Sequence, residues 1–172
     1  INYRSMLRQF NFPRWLLPAS SILSNFLNFL VGLVVILPIF LVIEPKVIFF
    51  LPFLFLFLLL NLIFTLGIGL ILSILNILLR DIGQLIPVVL MLWLWVTPVF
   101  YSIDMIPEGW RWIYNFNPMT AYIACFRDAI FYARFPQLSI VIYSFLWAFF
   151  SFVLGIFLFA SLENRILKAG LT

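Results

Sequence analysis

Six Asp and Glu side chains, one cysteine and no histidine are nearly the whole supply of acid–base, nucleophilic and metal-binding groups in these 172 residues. With Cys125 alone, no intrachain disulfide can form and a Cys/His metal cluster is excluded. No G-x-x-x-x-G-K-[ST] stretch occurs, so the chain does not itself hold ATP through a P-loop. No carboxylate pair and no nucleophile beside a base stands out, and an enzyme is not expected. What remains is recognition chemistry. Ser21, Asn25, Asn28 and Gly32 fall on one helical face, a polar stripe that is costly against lipid. It is read as a helix packing seam, with Asn25 and Asn28 also able to line a polar cargo route. In MLWLWVTPVFY, Trp93, Trp95, Phe100 and Tyr101 suit either an interfacial belt or a stacking surface for sugar rings. Trp110, Trp112 and Tyr114 pose the same choice between interface anchor and exit path.

The elements that must position these residues follow from composition. The chain is 66% hydrophobic and 9% charged, where soluble domains are about 45–50% apolar and about 25% charged. With a mean hydropathy of +1.20, an integral membrane protein is expected. Runs such as FFLPFLFLFLLLNLIF lack the alternation of a membrane barrel strand, so the fold is all-α. Four transmembrane helices are expected, at 21–43, 48–73, 83–101 and 139–161, forming a single membrane domain. The uncharged run from Val47 to Leu79 exceeds one bilayer thickness and must tilt, kink or project; Gly67, Gly69 and Ser73 permit close packing along it. Without an initiator Met or a secretory pattern, the chain is expected to belong to a longer protein.

An even number of spans puts both ends on one side. That side holds Arg4, Arg8, Arg14, Arg80, Arg165 and Lys168 against Asp81 and Glu163, while the charges of the opposite side balance. Basic residues mark the cytoplasmic face, so both ends, including the 162–172 tail, are expected there. A fifth crossing within 102–138 would move Arg165 and Lys168 outside and bury Arg127 and Asp128. Local signals instead divide that region into two short helices. Asp104 suits a cap for the first and Pro107-Glu108 its first turn. Asn117-Pro118 ends it and opens the second, about 118–133, which at 1.5 Å per residue is too short to cross. The pair either dips into the membrane from outside and returns or lies flat at the headgroups. At the other end of the chain, residues 1–18 read as an amphipathic cytoplasmic helix with Tyr3, Leu7 and Phe10 on one face and Arg4 and Arg8 on another. It is a membrane-surface helix or a docking element for a soluble partner.

Taken in order, these pieces resemble the membrane subunits of ABC-2 type exporters of the polysaccharide, O-antigen and teichoic acid class. The resemblance rests on Ser5-Met6-Leu7-Arg8; on Phe12, Pro13, Leu17 and Pro18 in an F-P-x-x-x-L-P pattern; and on Arg80-Asp81. TPVFY, Pro107-Glu108, Asn117-Pro118 and Phe126-Arg127 extend it. It implies that the spans here are the third to sixth of a six-span subunit. It also implies a homodimer bound to two separate ATPase subunits that carry ATP and Mg. No cofactor is expected in this chain and no nucleic acid among its partners; membrane lipid and a lipid-linked polysaccharide are. On the resemblance, Tyr3, Arg4, Leu7, Arg8, Arg80 and Asp81 contact or couple to the ATPase. The outer segment becomes a re-entrant pair closing an exit, with Trp93, Phe100, Tyr101, Trp110, Tyr114 and Arg127 beside Asn25 and Asn28 as channel or exit-gate residues. The implied setting is the bacterial inner membrane. Other readings are an ABC-2 drug or antibiotic exporter, a membrane-embedded glycan or lipid enzyme, and a structural anchor.

Overall fold

The computed structural model describes residues 15–79, 81–101 and 105–168, with helices and no strands among them. Helix α1 runs Leu16–Ile43 and leads through a 3-10 segment, Pro45–Phe50, into α2, Leu51–Leu78. Then come α3, Ile82–Val96; a 3-10 turn, Glu108–Trp110; two short helices, α4, Arg111–Phe116, and α5, Pro118–Ile130; and finally α6, Leu138–Lys168. Residues 16–43, 45–78 and 138–162 are long and apolar enough to cross a membrane. α3 is a shorter apolar helix of 15 residues, with Gln84 its one polar side chain. The amphipathic helix expected at residues 1–18, the Asp104 cap and Arg80 lie outside the described residues, with the exception of 15–18, which open α1.

Proline and short polar side chains set several helix ends. α3 stops at Val96, short of the expected 101, because Pro98 has no N–H to continue the ladder and disfavours helical backbone at Thr97. Thr97 is accordingly extended, with φ −86° and ψ 132°. Its hydroxyl donates back to the Trp93 carbonyl at 2.7 Å. α5 starts where expected: Asn117 is its N-cap, with Oδ1 accepting from the Met119 N–H at 3.1 Å, and Pro118 occupies the first turn. Its helical residues end at Ile130, before the expected 133. Ala133 sits at φ 42°, and the Arg134 N–H returns to the Asp128 carbonyl at 3.0 Å, closing the turn into α6.

The spine of the fold is α2 against α6, and the two run parallel. Phe53 meets Phe135, Ser151 Oγ lies 3.4 Å from the Phe64 carbonyl, and Leu70 and Ile74 cluster with Phe159, so partners rise together along both helices. They come into close contact at Gly67, where a Cβ would collide with the Ser151 backbone. A Cβ on Gly155 would lie 2.5 Å from the Gly67 carbonyl oxygen. Between lipid-facing helices the apolar transfer term largely vanishes, because lipid tails are as apolar as Leu. Close van der Waals packing through small residues therefore holds this seam.

Helix α5 completes the core. Tyr122 and Cys125 are fully buried among Phe57, Leu60, Phe64 and Ala148. The Tyr122 hydroxyl donates to the Ser144 carbonyl at 2.8 Å, which meets the requirement that a buried phenol find a partner. Helices α1 and α3 have no buried residues and lie at the margin of the bundle. The stripe of Ser21, Asn25, Asn28 and Gly32 is exposed, so it is not a packing seam within this chain. Gly32 has nothing within 4 Å of a built Cβ. α1 instead approaches α2 through Ile22, which meets Gly69.

Candidate functional site

The turn after α3 is fastened to α5 by side chains from both. Trp93 Nε1 donates to Asn117 Oδ1 at 2.8 Å, and Asn117 Nδ2 donates to Thr97 Oγ1 at 2.9 Å. Asn117 thus caps α5 while satisfying an indole and a hydroxyl, and it is 8% exposed. Arg127, nearly three turns further along α5, donates from Nη2 to the Pro98 carbonyl at 3.0 Å and to that of Val99 at 3.5 Å. The proline breaks the helix and so frees these carbonyls; the cation supplies their donor. Further out, the Tyr101 hydroxyl donates to the Trp95 carbonyl at 2.9 Å, and its ring packs edge-on to Tyr114.

Behind this latch, between α5 and the start of α6, opens a cleft of about 490 Å³. Its polar lining is Tyr114, Asn115, Thr120, Arg127, Gln137, Ser139 and Tyr143, with Ile123, Ile140 and alanines between them. The volume falls in the range of about 300–1,000 Å³ usual for ligand clefts. The Tyr143 hydroxyl is already committed to the Phe116 carbonyl at 2.9 Å, whereas Thr120 Oγ1 has no hydrogen-bond partner. The adjacent acid, Asp128, is paired with Arg134 at 2.7 Å and does not line the cleft.

The residues picked out from the sequence separate in space. Tyr114 and Arg127 share the cleft, Trp93 and Tyr101 belong to the latch beside it, and Trp110 is exposed. Phe100 is also exposed, its ring 6.3 Å from that of Trp95. Asn25 stands apart, its amide donating to the Ser21 carbonyl at 3.0 Å, and with Phe26, Asn61 and Thr65 it lines a groove of about 270 Å³. Asn28 is exposed on the same helix. Asp81 is exposed at the N-cap of α3 and makes no side-chain cap bond. Tyr3, Arg4, Leu7, Arg8 and Arg80 are outside the described residues. Sequence reasoning gave Asn117 only a capping role and passed over Thr97, Gln137, Ser139 and Tyr143. A polar residue beside a proline, as Thr97 is to Pro98 and Gln137 to Pro136, or at a helix start, as Ser139 is, was the available signal, but it does not name a partner.

The pattern described as ABC-2 type transporter matches residues 4–131, most of the chain. This chain belongs to the ABC-2 type transporter family. Two proteins of Klebsiella pneumoniae, each named O-antigen export system permease protein RfbA, align with this ABC-2 chain. One is 29% identical over 160 residues, covering 90% of this chain and 60% of the relative. The other is 33% identical over 121 residues, covering 68% and 46%. A protein of the same name from Myxococcus xanthus is 29% identical over 146 residues, covering 78% and 52%. The ABC-2 chain therefore spans about half the length of the curated relatives it matches.

Proposed function

We propose that this chain is membrane-embedded permease sequence of an ATP-driven exporter that moves lipid-linked polysaccharide across the bacterial inner membrane. The observation that carries this reading is the alignment of up to 90% of the chain with relatives named O-antigen export permeases. Two such subunits would work with two ATPase subunits, which bind ATP and Mg. ATP turnover then shifts the dimer between channel states to the extent that the states differ in affinity for the ATPase.

Four crossings with both ends cytoplasmic fit this role. Because α2 and α6 run parallel, the chain between Leu78 and Leu138 has to return across the bundle. The 15-residue α3, about 22 Å long at 1.5 Å per residue, supports that return. The re-entrant reading of 102–138 draws support from α5. In its second turn Tyr122 packs against Phe64, midway along α2, while Phe131 just past its end meets Phe40, near the end of α1. ATPase contact would fall to Tyr3, Arg4, Leu7, Arg8, Arg80 and Asp81. Trp15 packs near Leu70 and Phe159, toward the end of the bundle where α2 turns into α3, so the start of α1 and Asp81 share that end.

Deleting the encoding sequence should leave the glycan on its lipid carrier inside the cell, and restoring it should return glycan to the surface. Purified permease with its ATPase should hydrolyse ATP faster when lipid-linked glycan is added. Normal surface glycan in the deletion strain together with glycan-independent ATP turnover would defeat the proposal.

A further inference from the structure

Among the described residues, the lining of the cleft between α5 and the start of α6 holds one cation, Arg127, and no acid; the nearby Asp128 carboxylate is held by Arg134. Arg127 uses one terminal nitrogen, Nη2, for the Pro98 and Val99 carbonyls, so other donors of its guanidinium remain for a ligand. Around it stand three kinds of group. Asn115 and Gln137 offer amides that both donate and accept. Ser139 offers a hydroxyl, and the Thr120 hydroxyl, itself buried and without a partner, lies behind it. Tyr114 and Tyr143 offer ring faces. Amides and hydroxyls match the paired donors and acceptors of vicinal sugar hydroxyls, and aromatic faces accept the apolar C–H face of a pyranose. An unopposed guanidinium adds a preference for a carboxylate.

We propose that this cleft is a subsite for one acidic sugar residue of a glycan. Arg127 meets its carboxylate, Gln137, Ser139 and Asn115 meet its hydroxyls, and Tyr114 or Tyr143 meets its ring. The inference rests on the exporter reading for its physiological ligand, but the binding is a property of the cleft alone. Binding is non-covalent and sequence-tolerant, so a chain can step past it.

The test uses the full-length permease with its ATPase in detergent, titrated by calorimetry with a short oligogalacturonate and with the matching neutral galacto-oligosaccharide. The acidic probe should bind more tightly. Gln137→Ala and Ser139→Ala, on side chains outside the latch, should each weaken it by about two- to tenfold, the effect of one neutral hydrogen bond. Arg127→Gln should abolish the preference for the acidic probe, and Arg127→Lys should retain part of it. Equal binding of the two probes, or unchanged binding in Gln137→Ala and Ser139→Ala, overturns the subsite. So does displacement of the acidic probe by phosphatidylglycerol added in mixed micelles, because the cleft would then be an anionic-lipid site. Glycan-stimulated ATP turnover that persists without this binding would leave the exporter reading standing and remove only the subsite.

Discussion

Replacing Asn117 with Ala should loosen the join between α3 and α5 more than any other single polar change in the described residues. Three bonds are lost: the α5 cap from Met119 N–H, the acceptor for Trp93 Nε1, and the donor to Thr97 Oγ1. Loss of an N-cap costs about 1 kcal/mol. An indole N–H left without a partner in a partly buried site adds about 1–2 kcal/mol. Thr97 loses less, because its hydroxyl keeps its own bond to the Trp93 carbonyl; about 0.5 kcal/mol is reasonable for one neutral acceptor. The sum is about 3 kcal/mol, or about 2 kcal/mol if each bond has the average value of about 0.6 kcal/mol measured between membrane helices. Reversible unfolding of the purified permease in mixed detergent and SDS micelles, followed by far-UV circular dichroism, measures it. Asn117→Ser should recover the cap share of about 1 kcal/mol, since Ser is as good an N-cap as Asn but too short to reach Trp93. A double-mutant cycle with Trp93→Phe should give a coupling of about 1 kcal/mol. A loss below about 0.5 kcal/mol for Asn117→Ala, or no coupling to Trp93, would refute the assignment of Asn117 as the joining residue.

The α2–α6 seam predicts opposite outcomes at two glycines. Gly67→Ala should lower stability in the same assay by about 1–3 kcal/mol through overpacking against the Ser151 backbone, whereas Gly32→Ala, with nothing within 4 Å, should be neutral or stabilising by up to about 1 kcal/mol. Arg134→Ala leaves the Asp128 carboxylate, 7% exposed, without its cation. Because Arg134 itself is 64% exposed, the loss should be about 1–3 kcal/mol, below the cost for a fully buried pair, and adding Asp128→Asn should recover most of it. Cys125 is fully buried at the centre of the core, so it should resist maleimide in the folded permease and react at once on unfolding; rapid labelling of the folded protein would contradict the packing of α5. Tyr122→Phe should cost about 1 kcal/mol by removing the bond to the Ser144 carbonyl, measured by the same unfolding transition.

Composition and the length of the uncharged runs are enough to make the chain helical and membrane-embedded. A chain with so few charges and long uncharged runs has no other way to pair its backbone in lipid. The sequence also sets several helix boundaries, because capping and proline effects act within one turn. Asn117-Pro118 opens α5 for that reason. The expected end of α3, at 101, is too late, because the break at Pro98 stops the helix at Val96. Pairings between elements were out of the sequence's reach. A glycine on an apolar helix tolerates close approach from any neighbour, and only the fold decided that Gly67 meets Ser151 and Gly155 on a parallel helix while Gly32 meets nothing. In the same way, an asparagine after a turn reads as a cap, yet its two remaining bonds depend on where α3 comes to rest. Arg127 and Gln137 are ten positions apart and share a cleft only because the turn through Ala133 brings α6 back beside α5. Local chemistry is set by neighbours along the chain, whereas a site assembled across helices depends on contacts whose register no single segment contains.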